Sequence, residues 1–393
     1  MTYVKRSIST ALLDLAKQYP ILAVTGPRQS GKTTLLKNLF KDYQYVSLEN
    51  IDQRTFAEDD PVGFLKQYGQ KVILDEVQRA PTLFSYLQTK VDNSEEMGRF
   101  ILSGSQNFHL LESIMQSLSG RVALFKLMPF DNSELAAAGL LSNDWKELII
   151  KGCYPAIYSR GIRPDRFYSN YLQTYIDRDI SDLASIHNHR QFRNFVLLCA
   201  GRIGQVLNIS ALAKKCGISQ PTAKSWLAVL EKSYIIFLLP PYFKNFNKRV
   251  IKSPKLYFYD VGMAAFLRGF RTKDQLTDPT ALGSFFENLI VADILKTNFH
   301  SYALRDYWYW RDSAGHEVDL LTPLGEALEV FEIKSTQTVL PKLFSGLNYF
   351  SKIAEGLTVK KVLAYGGDTS YKRNDVDIRS WKNAFGEVGA DNT

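Results

Sequence analysis

The stretch that decides the N-terminal fold reads Ile21-Leu22-Ala23-Val24-Thr25-Gly26-Pro27-Arg28-Gln29-Ser30-Gly31-Lys32-Thr33-Thr34. Its first five residues form a short apolar run, which predicts a buried strand. The residues after Thr33 have helical spacing and predict a helix. Between them lies the pattern G-x-x-x-x-G-K-T, which in this strand–helix context is typical of a phosphate-binding loop.

The two glycines of this loop, Gly26 and Gly31, allow the backbone to curl so that successive N–H groups face one centre. The start of the following helix adds its positive end. In such a loop Lys32 reaches the β- and γ-phosphates of a nucleotide, and the Thr33 hydroxyl binds Mg²⁺. We therefore expect ATP and Mg²⁺ as cofactors, with ATP bound by the segment from Gly26 to Thr34.

A second ligand for the metal is supplied by an apolar run that ends in two acids. The run Lys71-Val72-Ile73-Leu74 is followed by Asp75 and Glu76. We expect Asp75, at the end of a strand, to hold Mg²⁺ and Glu76 to polarise the attacking water. The acid pair favours hydrolysis of ATP over transfer of its phosphate to a small acceptor.

Three further segments follow the acid pair along the chain. The apolar run Phe100-Ile101-Leu102 predicts a strand, and it ends in Ser103-Gly104-Ser105-Gln106. Further along, Ser119-Gly120-Arg121 precedes another apolar run, Val122-Ala123-Leu124-Phe125, and Met128-Pro129-Phe130 comes next. We expect the two apolar runs to be core strands.

With these segments, residues 20–135 resemble the AAA+-type ATPases of the prokaryotic group whose phosphate-binding loop reads GxRQxGKTT. In that group the ATPase core is followed by a C-terminal domain of unknown function. Residues 152–155, with the sequence Gly-Cys-Tyr-Pro, and residues 171–180 are similar to that domain. The resemblance covers nearly the whole chain. Cys153 is a departure, since the family more often has a second glycine there, and it affects a turn rather than the chemistry.

The resemblance implies further roles in the ATPase part. Ser103 and Ser105 become candidates for sensing the γ-phosphate, with ordinary turn chemistry as the alternative. Arg121 becomes a candidate arginine finger that acts in the site of a neighbouring subunit and neutralises charge in the transition state. That role implies a homo-oligomer, whereas a local salt bridge is the alternative for Arg121.

The positive charge of the chain is concentrated in its middle third. The formal net charge of the whole chain is +8. Residues 151–280 have 20 Lys and Arg against 8 Asp and Glu, whereas residues 1–150 have 16 against 17 and residues 281–393 have 12 against 15. A basic centre is the electrostatic feature of a protein that binds a polyanion, and a solvated basic surface is the alternative.

Composition and short segments exclude several classes. With 45% apolar and 22% charged residues, the chain has the composition of a folded globular protein. Its apolar runs are far shorter than the about 20 residues that span a bilayer, so we expect no membrane partner. The N-terminus lacks the apolar core of a secretory signal. Cys153, Cys199 and Cys216 are too far apart for a CxxC zinc site or a disulfide framework, so we expect a cytoplasmic protein.

The middle of the chain has the outline of a helix-turn-helix. Residues 208–231 predict two short helices separated by Gly217, with Ser219 as the N-cap of the second. Two β-prone runs, residues 235–239 and 255–259, would complete a winged helix. We expect this unit to bind DNA through the second helix and the basic loop between the runs, with a protein-interaction module as the alternative. The candidate DNA-binding residues are Gln220, Thr222, Lys224, Lys244, Lys248, Arg249 and Lys252.

Three acids and a lysine near the C-terminus follow each other in the order of a nuclease site. Glu287 lies on a predicted helix, Asp319 on a predicted strand, and Glu332 and Lys334 two residues apart on the next strand. The period of two in a strand puts Glu332 and Lys334 on one face. This order resembles the PD-(D/E)xK nuclease constellation, in which carboxylates bind Mg²⁺ and the lysine orients water. A related fold that has lost cleavage is the alternative.

These observations predict an α/β protein of four parts. They are a P-loop parallel-sheet ATPase domain at residues 1–140, a helical linker at 141–200, a winged helix at 201–262 and a restriction-endonuclease-like α/β domain at 263–393. The expected function is that of an ATP-hydrolysing machine associated with DNA, with branched and repair DNA as candidate substrates. The alternatives are a STAND-like nucleotide-dependent signalling switch whose middle binds protein, and an ATP-gated nuclease in defence or repair.

Overall fold

Five parallel strands form the N-terminal sheet. The computed structural model describes residues 3–105, 117–180, 186, 188–243 and 250–386 of the chain. The strands are β1 (Ile21–Thr25), β2 (Gln44–Ser47), β3 (Val72–Asp75), β4 (Phe100–Gly104) and β5 (Val122–Lys126), in the spatial order β2-β3-β4-β1-β5. Because β4 lies between β1 and β3, Ser103 is level with Val24 on one side and with Asp75 on the other. The sheet therefore brings the carboxyl ends of these three strands to one edge.

Helices cover both faces of this sheet. They are α1 (Ser9–Leu15), α2 (Lys32–Leu39), α3 (Ile51–Asp59), α4 (Pro61–Gln67) and α5 (Leu83–Asp92). Alternate residues of β1 pack into two different cores: Ile21 and Ala23 share one with α5, and Leu22 and Val24 share the other with α1 and α2. Burial on both faces is the reason why these strands are continuous apolar runs rather than alternating ones.

The middle of the chain is mainly helical. Its helices are α6 (Asn132–Ala137), α7 (Trp145–Lys151), α8 (Pro155–Ser159), α9 (Pro164–Tyr171), α10 (His189–Ala200), α11 (Ile209–Cys216) and α12 (Gln220–Lys232), with π-helical turns over Leu172–Ile180. An antiparallel sheet of order β6-β8-β7 packs beside them, formed by β6 (Gln205–Val206), β7 (Ile236–Leu239) and β8 (Lys255–Phe258). Gly217, with φ +70°, follows α11, and the Ser219 side chain caps α12.

A six-stranded mixed sheet forms the C-terminal part. Its strands are β9 (Trp308–Arg311), β10 (Glu317–Leu324), β11 (Ala327–Lys334), β12 (Thr358–Tyr365), β13 (Tyr371–Arg373) and β14 (Val376–Ser380), in the order β13-β14-β12-β11-β10-β9. β9, β10 and β11 are antiparallel, and β11, β12 and β14 are parallel. The helices of this part are α13 (Val261–Leu267), α14 (Pro279–His300) and α15 (Ser345–Ile353).

The order of these parts confirms the predicted fold class: a parallel-sheet α/β domain, then a helical region, then a mixed-sheet domain. Among the described helices, none combines the length and the apolar character that a membrane crossing needs.

The helical middle and the mixed sheet share one continuous core. The side-chain amide of Asn288, on α14, accepts a hydrogen bond from the N–H of Phe258 at 2.8 Å and donates one to its carbonyl at 2.9 Å. The loop that leads to β8 is bonded to the edge strand β9, where the N–H of Ile251 donates to the carbonyl of Arg311 at 3.0 Å. The chain is therefore packed continuously across the boundary predicted at residue 262.

One buried arginine joins three distant parts of the chain. The Arg6 guanidinium donates to the carbonyls of Ser30, in the phosphate-binding loop, at 2.9 Å and of Met128, after β5, at 2.7 Å. It also donates to the Glu134 carboxylate at 2.9 Å, and its Nη2 lies 3.3 Å from Nε2 of His300 at the end of α14. Because this ion pair is almost fully buried, each charge depends on its partner.

We predict that Arg6→Ala lowers the free energy of unfolding by about 3–5 kcal/mol, because it leaves the Glu134 carboxylate buried without its cation. Urea unfolding followed by circular dichroism measures the loss. The control is Arg163→Ala, which removes an ion pair to Asp165 from an exposed arginine and should cost less than about 1 kcal/mol. Equal losses in the two variants would contradict this role of Arg6.

Candidate functional site

The phosphate-binding loop is closed by its own lysine. Lys32 is buried, and its ammonium donates to the carbonyls of Gly26 at 2.9 Å and Pro27 at 3.0 Å. Gly26 has φ +148° and Gly31 has φ +95°, conformations that residues with a Cβ rarely adopt. A Cβ on Gly26 would also lie 2.1 Å from the carbonyl oxygen of Leu127. Glycine is therefore required at both positions of the motif.

The groups around this loop fit a nucleotide phosphate. The Ser30 hydroxyl is buried and has no hydrogen-bond partner among the described residues. Burial lowers the pKa of Lys32 to about 8, although the carboxylates of Glu76 and Asp75 act in the opposite direction. A desolvated ammonium is stabilised by additional negative charge, which a phosphate would supply.

Three hydroxyl groups hold the first acid. At Oδ2, Asp75 accepts hydrogen bonds from Thr33 Oγ1 at 2.9 Å and from the Tyr45 hydroxyl at 2.7 Å. At Oδ1, it accepts one from Ser103 Oγ at 2.5 Å. The Thr33 hydroxyl and the Asp75 carboxylate are therefore neighbours, and oxygen ligands of this kind are those that Mg²⁺ prefers. Tyr45, on β2, was not predicted from the sequence because an isolated tyrosine in a strand has no distinguishing pattern.

Glu76, the second acid, is hydrogen-bonded to a different serine. Glu76 follows β3 directly and has a left-handed backbone with φ +54°. Its Oε2 accepts hydrogen bonds from the hydroxyl of Ser105 at 3.0 Å, from the N–H of Ser105 at 3.3 Å and from the side-chain amide of Gln78. The two serines at the end of β4 thus have different partners, since Ser103 contacts Asp75.

Arg121 lies at the opposite end of the sheet from the loop. Its carbonyl accepts a hydrogen bond at 3.3 Å from the N–H of Ile21, the first residue of β1, whereas the loop follows the last residue of β1. Its guanidinium forms a bidentate ion pair with Asp92, with Nε–Oδ1 at 2.5 Å and Nη2–Oδ2 at 2.9 Å. Within one chain, Arg121 therefore has the local salt bridge that the sequence left open as the alternative, and it lies away from its own nucleotide site.

The helical middle packs against the phosphate-binding loop, a contact that the sequence did not predict. The hydroxyl of Tyr234, next to the end of α12, lies 2.9 Å from Thr25 Oγ1, and both groups are buried. The hydroxyl of Tyr171, at the end of α9, donates to the carbonyl of Arg28 at 3.4 Å. These contacts join residues more than a hundred positions apart, so no local pattern indicates them.

Four of the seven candidate DNA-binding residues lie in the part of the chain that the structure describes. Gln220 and Lys224 are exposed on α12, Lys252 is exposed ahead of β8, and Thr222 is half-buried. The Thr222 hydroxyl lies 2.7 Å from Ser219 Oγ, next to the start of the helix. Lys244, Lys248 and Arg249 lie outside the described residues.

The predicted C-terminal residues converge around two lysines. Lys334 Nζ lies 2.5 Å from Glu332 Oε1 and 3.6 Å from Asp319 Oδ2. A second lysine, Lys255 on β8, has its Nζ 2.9 Å from Glu287 Oε1 and 3.9 Å from Asp319 Oδ1. Burial raises the pKa of Glu332 to about 7, with the negative charge of Asp319 as a further cause. Lys255 was missed because the sequence places it in a different predicted domain.

As the structure stands, these acids do not fit a divalent metal ion. Lys255 also forms an ion pair with Glu317, so that its ammonium lies among carboxylates from α14 and β10. Metal-bound oxygens lie about 2.0–2.6 Å from Mg²⁺ or Ca²⁺. Within the described ranges, Glu287, Asp319 and Glu332 do not form a group whose ligand atoms all lie within 4.8 Å of one another.

In a different group, Asp131, Glu134 and His300, the ligand atoms all lie within 4.8 Å of one another, and the three residues are buried. Its ligand atoms are already engaged. His300 Nδ1 donates to Asp131 at 2.6 Å, and His300 Nε2 accepts from the N–H of Met128 at 3.1 Å. Arg6 supplies the positive charge next to Glu134. We therefore assign this group to the buried network around Arg6 and not to a metal.

Three family descriptions match successive parts of the chain. Residues 18–136 match "AAA domain", residues 142–274 match "Domain of unknown function (DUF8612)" and residues 282–383 match "Domain of unknown function (DUF4143)". The first match contains the five-stranded sheet, the loop and both acids. The other two cover the helical middle and the mixed sheet, and their descriptions name no activity.

Relatives match over most of the chain. "Uncharacterized protein Rv2008c" of Mycobacterium tuberculosis and "Uncharacterized protein Mb2031c" of Mycobacterium bovis are each 27% identical over 379 residues, 95% of this chain and 82% of the relative. A solved structure, the Walker-type ATPase PABY2304 of Pyrococcus abyssi, is similar with a TM-score of 0.44 and 14% identity, over 66% of this chain and 94% of that one.

The loop geometry and the first family match agree on the class that the N-terminal part resembles, which is the P-loop ATPase domain of the AAA type. A helical region and a mixed-sheet domain follow it in the same chain.

We predict that the protein takes up a proton when it binds a nucleotide above about pH 8. The Lys32 ammonium, with its pKa of about 8, is half deprotonated at that pH, and the charges of a bound phosphate raise this pKa again. Affinity should therefore fall as the pH rises, by about tenfold between pH 7 and pH 9. Calorimetry with a non-hydrolysable ATP analogue, in two buffers of different ionisation enthalpy, measures the affinity and the number of protons taken up on binding.

Lys32→Arg is the matched control, because a guanidinium keeps its proton throughout this range. Its affinity should be lower than that of the wild type and nearly independent of pH. A wild-type affinity that stays constant from pH 7 to pH 9 would contradict the assignment.

Proposed function

We propose that this protein hydrolyses ATP with Mg²⁺ and uses the hydrolysis on DNA, as a homo-oligomer. The observation that carries the hydrolytic part is the arrangement of the two acids. The Asp75 carboxylate is hydrogen-bonded to Thr33 and Ser103, next to the loop, whereas the Glu76 carboxylate is hydrogen-bonded to Ser105. This separation supports two different tasks for two adjacent carboxylates.

Each group then has a defined role. Lys32 exchanges its two carbonyl partners for the phosphate oxygens, and the N–H groups between Gly26 and Thr34 bind the same charges. Thr33 and Asp75 would hold Mg²⁺, which neutralises charge on the phosphates. Glu76 accepts the proton of the attacking water, and Ser105 fixes the position of that carboxylate. Ser103, level with Asp75 on β4, is placed to respond to the γ-phosphate through Asp75.

We predict that Glu76→Gln lowers the rate of ATP hydrolysis by about 10²–10⁴-fold, because the amide cannot accept the proton of the water. Its affinity for ATP should stay close to that of the wild type, whereas Lys32→Ala should lose affinity. Release of phosphate measures the rate, and a fluorescent ATP analogue measures the affinity.

Glu58→Gln makes the same chemical change at an exposed position of α3 in the same domain, and it should leave the rate unchanged. Hydrolysis by Glu76→Gln at the wild-type rate would rule out Glu76 as the base.

For DNA, the support comes from the charge and exposure of the two helices of the middle region. Lys214 and Lys215 are exposed at the end of α11, and Lys224 and Gln220 are exposed in the first half of α12. The helix–turn–helix order followed by two antiparallel strands supports a winged helix. In such units the second helix contacts bases and the nearby lysines contact phosphates.

We predict that replacing Lys214, Lys215 and Lys224 together with glutamine weakens duplex DNA binding for all sequences. The slope of log K against log salt should fall by roughly one unit for each phosphate that these lysines no longer neutralise. Fluorescence anisotropy of a labelled duplex at several salt concentrations measures it. As a control, the same change at Lys17, Lys41 and Lys66, exposed residues of the N-terminal domain, should leave the slope unchanged.

An unchanged slope in the first triple variant would instead favour the signalling-switch alternative, in which the middle binds protein. For the oligomer, the support is the position of Arg121, which is half-buried at the far end of the sheet and can meet a neighbour once it leaves Asp92. The nuclease-like alternative stays a prediction. The strand pattern of β9–β12 and the position of Lys334 beside Asp319 and Glu332 support it, whereas the metal fit described above does not.

A further inference from the structure

An ion pair spans the edge of the N-terminal sheet that carries the phosphate-binding loop. Arg28 is the third residue of this loop, which follows β1, and Glu49 follows β2. Nη2 of Arg28 lies 3.9 Å from Oε1 of Glu49. Because β4 and β3 lie between β1 and β2, the pair bridges three strand spacings, roughly 14 Å in all. The Arg28 side chain therefore extends over the strand ends that carry Asp75 and Glu76.

The backbone of Arg28 is fixed, whereas its ion pair with Glu49 is exposed to solvent. The Arg28 carbonyl accepts a hydrogen bond from the Tyr171 hydroxyl at 3.4 Å, and its guanidinium lies 6.0 Å from the centre of the Tyr175 ring. The side chains of Arg28 and Glu49 are 44% and 51% exposed, and such a pair changes an equilibrium by at most about fivefold. Arg79 lies 3.8 Å from the same oxygen of Glu49. This carboxylate therefore keeps a cation when Arg28 exchanges it for a phosphate.

The terminal phosphate of a bound nucleotide would lie beside this arginine. The Lys32 ammonium, which reaches the β- and γ-phosphates in such loops, is hydrogen-bonded to the carbonyls of Gly26 and Pro27. Pro27 directly precedes Arg28. Glu76, which we expect to activate the attacking water, follows β3 on the side of the loop that the Arg28 side chain crosses. A γ-phosphate between Lys32 and Glu76 is therefore within the path of the Arg28 side chain.

We propose that the Arg28 guanidinium leaves Glu49 when ATP binds, contacts the γ-phosphate in the same chain and is a catalytic residue of the hydrolysis. In this step water forms a bond to the γ-phosphorus, while the bond from that phosphorus to the oxygen bridging the β- and γ-phosphates breaks. Glu76 takes the proton of the water, and the electron pair of the broken bond stays on ADP. Arg28 neutralises the charge on the γ-phosphoryl oxygens during the transfer. This role rests on the proposed hydrolysis of ATP and, unlike that of Arg121, needs no neighbouring subunit.

The test compares Arg28→Ala with the matched control Arg79→Ala, which removes the other arginine beside Glu49. In the full-length protein with Mg²⁺, Arg28→Ala should lower kcat for ATP by about 10³-fold, the lower end of what a catalytic arginine contributes. Its affinity for ADP with aluminium fluoride, which mimics the transition state, should fall by about 10²-fold or more. Its affinity for ADP alone should stay close to that of the wild type. Arg79→Ala should leave all three quantities close to their wild-type values.

A mixture of Arg28→Ala and Glu76→Gln should stay inactive, because each chain then lacks one residue of its own site. Recovery of activity in the mixture would place Arg28 in the site of a neighbour and overturn the proposal. It is also overturned if Arg28→Ala hydrolyses ATP at the wild-type rate, or if its affinity for ADP falls as much as its affinity for the fluoride complex. Wild-type protein that does not hydrolyse ATP contradicts the proposed function instead, and the two affinities still test the contact of Arg28 with the phosphate.

Discussion

The arrangement of this protein depends on one buried guanidinium, that of Arg6. It binds a carbonyl of the phosphate-binding loop, at Ser30, and lies beside His300, the last residue of the long helix α14. The same helix carries Glu287 of the C-terminal acid cluster, thirteen residues earlier. At a rise of 1.5 Å per residue, the loop contact and the acid cluster are about 20 Å apart along one helix. Two chemically different sites therefore share one rigid element.

The adjacent acids Asp75 and Glu76 have different serine partners, and this difference depends on strand order. Only because β4 lies between β1 and β3 can its last residues reach the end of β3. Ser103 then bonds one acid and Ser105 the other, although they are only two residues apart. The left-handed backbone of Glu76 separates the two carboxylates locally. A different strand order would leave both acids without these hydroxyl partners.

Local patterns were enough to predict the elements and the loop, but not the contacts between distant segments. Strand runs, glycine positions and the Asp75–Glu76 pair have short-range signatures, and β1, β3 and β4 lie at the predicted apolar runs. Lys255 and the Tyr234–Thr25 contact have none, because their partners come from other parts of the chain. The position of Glu332 and Lys334 on one face was predictable because it is a property of a single strand. The contacts of Lys255 were not predictable because they join different elements.

The contact between Arg6 and His300 also affects how the protein can be made. The two residues are 294 positions apart, so the arginine leaves the ribosome long before the histidine is synthesised. At a synthesis rate of about 5–20 residues per second, roughly 15–60 s pass between them. During that time the phosphate-binding loop lacks part of its support. The N-terminal domain is thus completed late in translation, and a fragment that ends before residue 300 lacks the His300 partner of Arg6.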